Sequence, residues 1–228
     1  MAGKRPFHFH TLGFRRNPFG ALSDEEWVAV AILPPAIQAQ LDNASAHVQL
    51  LGPKGCGKTT TMRRIRADLE AQHLRVAYEY LPEGTTRFAT PLTGLDAFLP
   101  DEAQRLNRWE RRRWLKGVQN GRLRTIFSSH GDLSRLFARR RLPLTTIRID
   151  AQISLAHYQA VLQRRLAYFA LNVPPRITFA PEAVAFLYET FGADMREAEY
   201  FLYEVWQALE KVGAITAVFL QRQYRMYG

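Results

Sequence analysis

The chain has 228 residues, 47% of them hydrophobic, which is enough for one large domain or a core with a small appendage. Its 31 lysines and arginines against 21 acids leave a net charge of +10, and the single cysteine, Cys56, excludes an internal disulfide and any cysteine-built metal centre. No apolar run approaches a membrane span and the N-terminal residues lack a secretory core, so a cytoplasmic protein without membrane insertion is expected.

The first 45 residues read as a linker and helix. The opening stretch is aromatic and basic and ends Arg15-Arg16-Asn17-Pro18-Phe19-Gly20. Ser23, with Glu26 three residues on, is a helix-start signal. The helical pattern runs to about Leu41, interrupted near Pro34-Pro35.

From residue 46 strands and helices alternate. The apolar-rich run His47–Leu51 predicts a buried strand, and Thr60 to Leu69 a helix. Between them Gly52-Pro53-Lys54-Gly55-Cys56-Gly57-Lys58-Thr59 reads G-x-x-x-x-G-K-T. The glycines let backbone N–H groups turn inward around phosphate oxygens, at a helix start whose dipole favours anions. Lys58 would reach the β- and γ-phosphates, Thr59 would hold Mg²⁺ through its hydroxyl, and Thr60 belongs to the same binding stretch. Further strands are expected at Arg75–Leu81, about Gly94–Leu99, Arg124–Ser128 and Leu144–Ile149. Together they imply a five-stranded parallel sheet with flanking helices in residues 46–150, an α/β class.

A phosphate loop only binds, and hydrolysis needs a second acidic strand end. Asp101-Glu102 fits that need, with Asp101 on the metal and Glu102 as general base. An acidic helix start after Pro100 reads the same way, and Asp96 interrupts the apolar run before the pair. In Arg124–His130, Ser128 or Ser129 would set a hydroxyl between γ-phosphate and water, or close a strand-end turn. His130 is a γ-phosphate contact or a surface histidine.

After Asp150 the pattern is helical: Ser154 to about Leu171, Pro181 to about Phe191, Met195 to about Val212, and Ile215 to Tyr227. Residues 151–228 are therefore read as a small all-helical lid.

These features, in this order, resemble the AAA+ ATPases, over roughly residues 17–212. The resemblance implies ATP with Mg²⁺ as cofactors and ATP hydrolysis as the activity. It gives Arg196, within Gly192–Glu199, the place of an arginine that opens a lid helix and reaches the γ-phosphate. The stretch Asp194–Leu202 looks most like replication initiators and helicase loaders. A trans-acting arginine is implied among Arg135, Arg139, Arg140 and Arg141, with Arg139 or Arg140 preferred, and with it a head-to-tail homo-oligomeric ring or filament. Asn17-Pro18-Phe19 resembles a linker that packs on adenine. Pro100 departs from the family pattern: it removes a ladder donor from a central strand and predicts a disturbed third strand.

Two readings of function follow. One is an ATP-driven switch acting on DNA, like transposition regulators and helicase loaders. There Arg108, Arg111, Arg112 and Arg113, interleaved with Trp109 and Trp114, would supply phosphate contacts and stacking. The same residues also suit a core of tryptophans with solvated arginines. The other reading is an ATPase that regulates or remodels a protein client, as in secretion-associated relatives. A nucleotide-binding module that does not hydrolyse is motivated by Pro100.

Overall fold

Residues 8–42, 46–120 and 123–227 are described by a computed structural model. In chain order the elements are α1 His8–Thr11, α2 Asp24–Val30, α3 Pro35–Asp42, β1 His47–Leu51, α4 Lys58–Ala71, β2 Val76–Tyr80, β3 Ala97–Asp101, α5 Arg108–Gln119, β4 Arg124–Ser129, α6 Ser134–Ala138, β5 Leu144–Arg148, α7 Leu155–Phe169, β6 Ile177–Phe179, α8 Pro181–Phe191, α9 Met195–Ala208, β7 Gly213–Ile215 and α10 Ala217–Tyr227. They form two compact units: Leu33–Gln152, and a second that joins Met1–Ile32 to Ile153–Gly228.

The first unit is the expected α/β sheet. Its five strands lie parallel in the order β2-β3-β4-β1-β5. β1 and β4 are buried along nearly their whole length, as parallel strands covered on both faces are, and carry buried polar groups at His47, Gln49, Thr125, Ser128 and Ser129. One face is sealed by an aromatic cluster. The Phe127 and Phe137 rings stack at 5.3 Å, and Trp114 meets Phe127 edge-on at 5.0 Å. Trp114 is therefore core, with its indole N–H donated to Thr125 Oγ1 (3.2 Å). Trp109 is 73% exposed. The two tryptophans, equivalent in the sequence pattern, part because only residues on one side of α5 meet the sheet.

The third strand lies two to three residues later than expected and runs through Pro100. It pairs with β2 along its whole length, from Val76↔Ala97 to Tyr80↔Asp101, but with β4 only at Ala97↔Arg124 and Phe98↔Thr125. The Asp101 carbonyl accepts from Leu81 N–H on the β2 side (3.0 Å), and the Asp96 carbonyl accepts from Arg124 N–H on the β4 side (2.9 Å). Backbone groups alternate along a strand, so the donor that Pro100 lacks belongs to the β4 side. The proline thus ends one ladder and leaves the other intact. The expected disturbance is confined to the β3–β4 edge.

The second unit is largely helical, with one addition to the expected helices: β6 and β7 pair in parallel, Ile177↔Gly213 to Phe179↔Ile215. α9 accordingly stops at Ala208, and Gly213, at φ 138°, begins the strand. The segment 17–19 is pinned into this unit. Asn17 donates to Tyr203 O (3.0 Å), Arg165 donates to Pro18 O (2.6 Å) and Gly20 O (3.1 Å), and Phe19 packs edge-on against Trp206 at 4.8 Å. Arg165 is 3% exposed and pairs with Glu199 at 2.5 Å.

His47 makes the sheet acid-sensitive. Its Nδ1 accepts the Thr125 N–H (3.2 Å), which requires a ring nitrogen without a proton. Burial, and secondarily the Arg124 guanidinium, pushes this imidazole below its ordinary range; burial does the same to His157. As pH falls through about 6.5, the unfolded chain takes up protons that the folded one refuses, so stability drops. Urea midpoints at pH 7.5 and 5.5 are expected to show this loss, and His47→Gln to reduce it. An undiminished loss in that variant would show that His47 is not responsible.

Candidate nucleotide site

The loop between β1 and α4 has the backbone the motif requires. Gly57 lies at φ 86°, a left-handed conformation that a Cβ disfavours. Gly52 cannot carry a side chain for a different reason: a Cβ there would sit 2.8 Å from Cys56 Sγ. Cys56 is buried and its thiol donates to Pro53 O (3.1 Å). Burial pushes that thiol upward, so it fills the loop as a protonated group and is not a nucleophile. Pro53 and Lys54 are exposed at the loop's outer turn.

The α4 terminus suits an anion. Gly57 offers no side-chain cap, and the first turn holds no acid, so its N–H groups are left to a ligand. Thr59 and Thr60 are half-buried in that first turn. Lys58, 5% exposed, donates to the carbonyls of Gly52 (2.9 Å) and Pro53 (2.7 Å). Its ammonium is thus held over the loop by groups a phosphate oxygen outcompetes as a partner.

The neighbouring strand ends complete the site. β1 and β4 run in register, Leu50↔Ser128 and Leu51↔Ser129, and Gly52 N–H reaches Ser129 O at 3.4 Å. Both serine hydroxyls are fully buried and engaged within the protein. Ser129 accepts from Gln49 Nε2 (2.8 Å) and donates to Gly131 O (2.8 Å). Ser128 donates to Asp101 Oδ1 and accepts the Glu102 N–H (2.9 Å). Asp101 is wholly buried, with its other oxygen accepting from Tyr78 (2.9 Å).

Glu102 does not open an α-helix. It sits at φ 70°, the left-handed region, at a cost of about 1–2 kcal/mol for a non-glycine residue. Such strain persists where surrounding contacts impose it. Here Gln104 Nε2 donates to Glu102 Oε2 (2.6 Å), His130 Nε2 lies 3.2 Å from Oε1, and Arg105 Nη2 lies 3.6 Å from Oε2. His130 N–H in turn donates to Gln104 Oε1 (3.3 Å). His130 is thus neither a lone surface group nor separate from the acidic pair. Gln104 carried no signal in the sequence beyond lying two residues after Glu102; only the turn brings its amide back onto the carboxylate.

The residues fit a magnesium nucleotide. Mg²⁺ takes oxygen ligands and is held by one or two carboxylates plus phosphates. Thr59 and Asp101 carry such oxygens, and both of Asp101's are already hydrogen-bonded, to Ser128 and Tyr78. Among the described residues no three His, Cys, Asp or Glu side chains gather into a metal cluster, so an ion here would depend on the nucleotide itself. Arg139 and Arg140 follow α6 directly, and Arg140 donates to Gln119 Oε1. Arg196 belongs to the other unit and is exposed in the first turn of α9, whose start is capped by Asp194 (3.2 Å from Glu197 N).

No family model and no curated protein matches this sequence. Solved structures do. RuvB of Thermotoga maritima, a Holliday junction branch migration motor, has a TM-score of 0.60 at 17% identity, covering 92% of this chain and 73% of its own. DnaA of Aquifex aeolicus with AMPPCP has a TM-score of 0.56 at 17% identity, covering 84% and 64%. A replication initiator DnaA with AMPPCP and single-stranded DNA has 0.54 at 17%, covering 83% and 63%. This chain spans less than two thirds of either DnaA. What these structures share with this chain is the fold, the parallel α/β sheet with flanking helices expected from the order of motifs.

The Ser128 hydroxyl holds Asp101 and Glu102 at once, and Ser128→Ala would orphan a buried carboxylate oxygen and a buried N–H. The expected cost is about 2 kcal/mol or more of stability, read from urea unfolding. A loss below about 0.5 kcal/mol, the range of ordinary surface changes, would show that the bridge carries no weight.

Proposed function

We propose that this chain binds and hydrolyses Mg-ATP as an oligomeric AAA+ switch that acts on nucleic acid. The observation that carries the ATPase reading is the placement of the uncapped α4 terminus and Lys58, after β1, and of Asp101 and Glu102, after β3, at the carboxyl ends of the two strands that flank β4, where ligands of parallel sheets bind. In this reading Lys58 and the loop amides of Gly52–Thr60 hold the phosphates, and Thr59 and Asp101 hold Mg²⁺. When bound, the metal would neutralise charge developing on the phosphates. Glu102 acts as base toward water, with Ser128, Gln104 and His130 as positioning residues around it. Arg196 from the lid, and Arg139 or Arg140 from a neighbouring subunit, would add cationic contacts to the γ-phosphate.

The nucleic-acid part rests on the net charge of +10 and on the roles of the structural neighbours, a branch migration motor and a replication initiator. A protein client is the competing target. One observation also favours a nucleotide-binding module with slow or no turnover: both oxygens of Glu102 already have partners, so the carboxylate must be released to accept a proton from water.

Binding and turnover separate these readings. Lys58→Ala is expected to lose most affinity for a fluorescent ATP analogue. Glu102→Gln should keep that affinity and lose phosphate release by roughly 100-fold or more. Equal release from wild type and Glu102→Gln would remove Glu102 from the mechanism. Arg196→Ala should leave binding of the analogue within a few-fold and weaken ATP-dependent assembly, measured as particle size with and without Mg-ATP.

A further inference from the structure

Five arginines that lie apart in the sequence line one cleft of the α/β unit. Arg108, Arg111 and Arg112 come from one face of α5, and Arg139 and Arg140 from the end of α6; the cleft encloses about 410 Å³ and includes Leu115 in its lining. No carboxylate lines it among the described residues. The one acid of α5, Glu110, is taken by Arg113 at 3.2 Å. Guanidinium groups stay charged in proteins, so repulsion between them cannot be relieved by loss of a proton. Like charges gathered on low-dielectric walls attract counter-anions strongly.

The guanidinium groups are partly set in place. Arg111 donates Nη2 to Gln104 O (2.5 Å) and keeps a buried Nε without a hydrogen-bond partner. Arg112 lies 5.3 Å from the centroid of the Trp109 ring, which is otherwise open to solvent. Arg113 is excluded from this group: it stacks 3.9 Å over Phe88 and donates to Phe88 O (3.2 Å).

We infer that this cleft binds the sugar-phosphate backbone of a single strand of nucleic acid, with Trp109 stacking on an unpaired base at its rim. The inference rests on the nucleic-acid reading above for its partner, though not on hydrolysis. Cations drawn from two elements, α5 and the end of α6, fit a chain of phosphates better than one phosphate. The exposed Trp109 ring can stack on an unpaired base, which the interior of a duplex does not offer. A basic groove beside an exposed aromatic ring is the combination that holds single strands without reading their sequence.

The test is fluorescence anisotropy of the full chain with labelled oligothymidylate across a salt series, with a matched duplex as competitor. The wild type is expected to prefer the single strand. Arg108→Ala/Arg112→Ala should weaken binding about tenfold or more and lower the log–log salt slope by about 1.4, two contacts at about 0.7 each. Arg139→Ala, at the end of α6, should lower the slope by about 0.7. Trp109→Ala should weaken binding roughly tenfold with the slope unchanged. The double variant should still bind the fluorescent ATP analogue, which shows that it folds. Wild-type protein that binds the analogue but no single strand at low salt would overturn the inference, as would a duplex bound equally well or either element's variant binding as wild type does. Strand binding by a wild type that holds no nucleotide would support the cleft and sink the ATPase reading instead.

Discussion

A single buried hydroxyl joins two strand ends that the backbone cannot join. Pro100 has no N–H to give β4, and the β3–β4 pairing stops at Phe98. Two side chains take over. Thr125 Oγ1 donates to Phe98 O (3.0 Å), and Ser128 bridges the Asp101 carboxylate to the Glu102 amide (2.9 Å). The acidic pair is therefore placed by side-chain hydrogen bonds in a dry interior, where each is stronger and costlier to lose than in water. The left-handed turn at Glu102, with the amide and imidazole that face it, depends on this anchor.

The second unit uses a buried cation in a comparable way. Arg165 draws the carbonyls of Pro18 and Gly20 onto α7 and pairs with Glu199 of α9. Taking such a pair out of water is costly, and here Nε and Nη2 of the guanidinium also donate to main-chain oxygens. Burial lifts the Glu199 carboxyl above its ordinary value while the Arg165 charge opposes that rise. The result ties the N-terminal segment to helices more than 140 residues away in sequence, with Phe19 buried against Trp206. Local propensity would not hold that segment.

The chain's many arginines do several kinds of work. Arg124 is turned inward, donating to the carbonyls of Gln40 and Leu41 in α3 and of Ala46 just before β1. Arg75 closes on Asp96 at a strand entrance, and Arg64 and Arg66 form pairs with Asp68 and Glu70 along α4. Such exposed pairs contribute little stability each. The cleft lined by α5 and the end of α6 is different because, among the described residues, no acid lines it. A net charge summed over the sequence averages these cases together, and only position separates them.

Much was legible in the residues alone. The glycine loop with Lys58 and Thr59, the capping box at Ser23 and Glu26, the helix starts at Ser154 and Pro181, and the five strands follow from local rules of conformation, because glycine freedom, side-chain caps and apolar runs act within a few residues. What needed the tertiary structure acts across long separations: that Pro100 spares the β2 ladder, that Ser128 serves Asp101 and not solvent, that Gln104 and His130 close on Glu102, that Trp114 is core while Trp109 is bare, and that arginines near 110 and near 140 share one cleft. A sequence states which groups can donate, accept or carry charge. Which of them meet is decided by the register of parallel strands and the face a helix turns to the sheet, and those are set by packing of the whole.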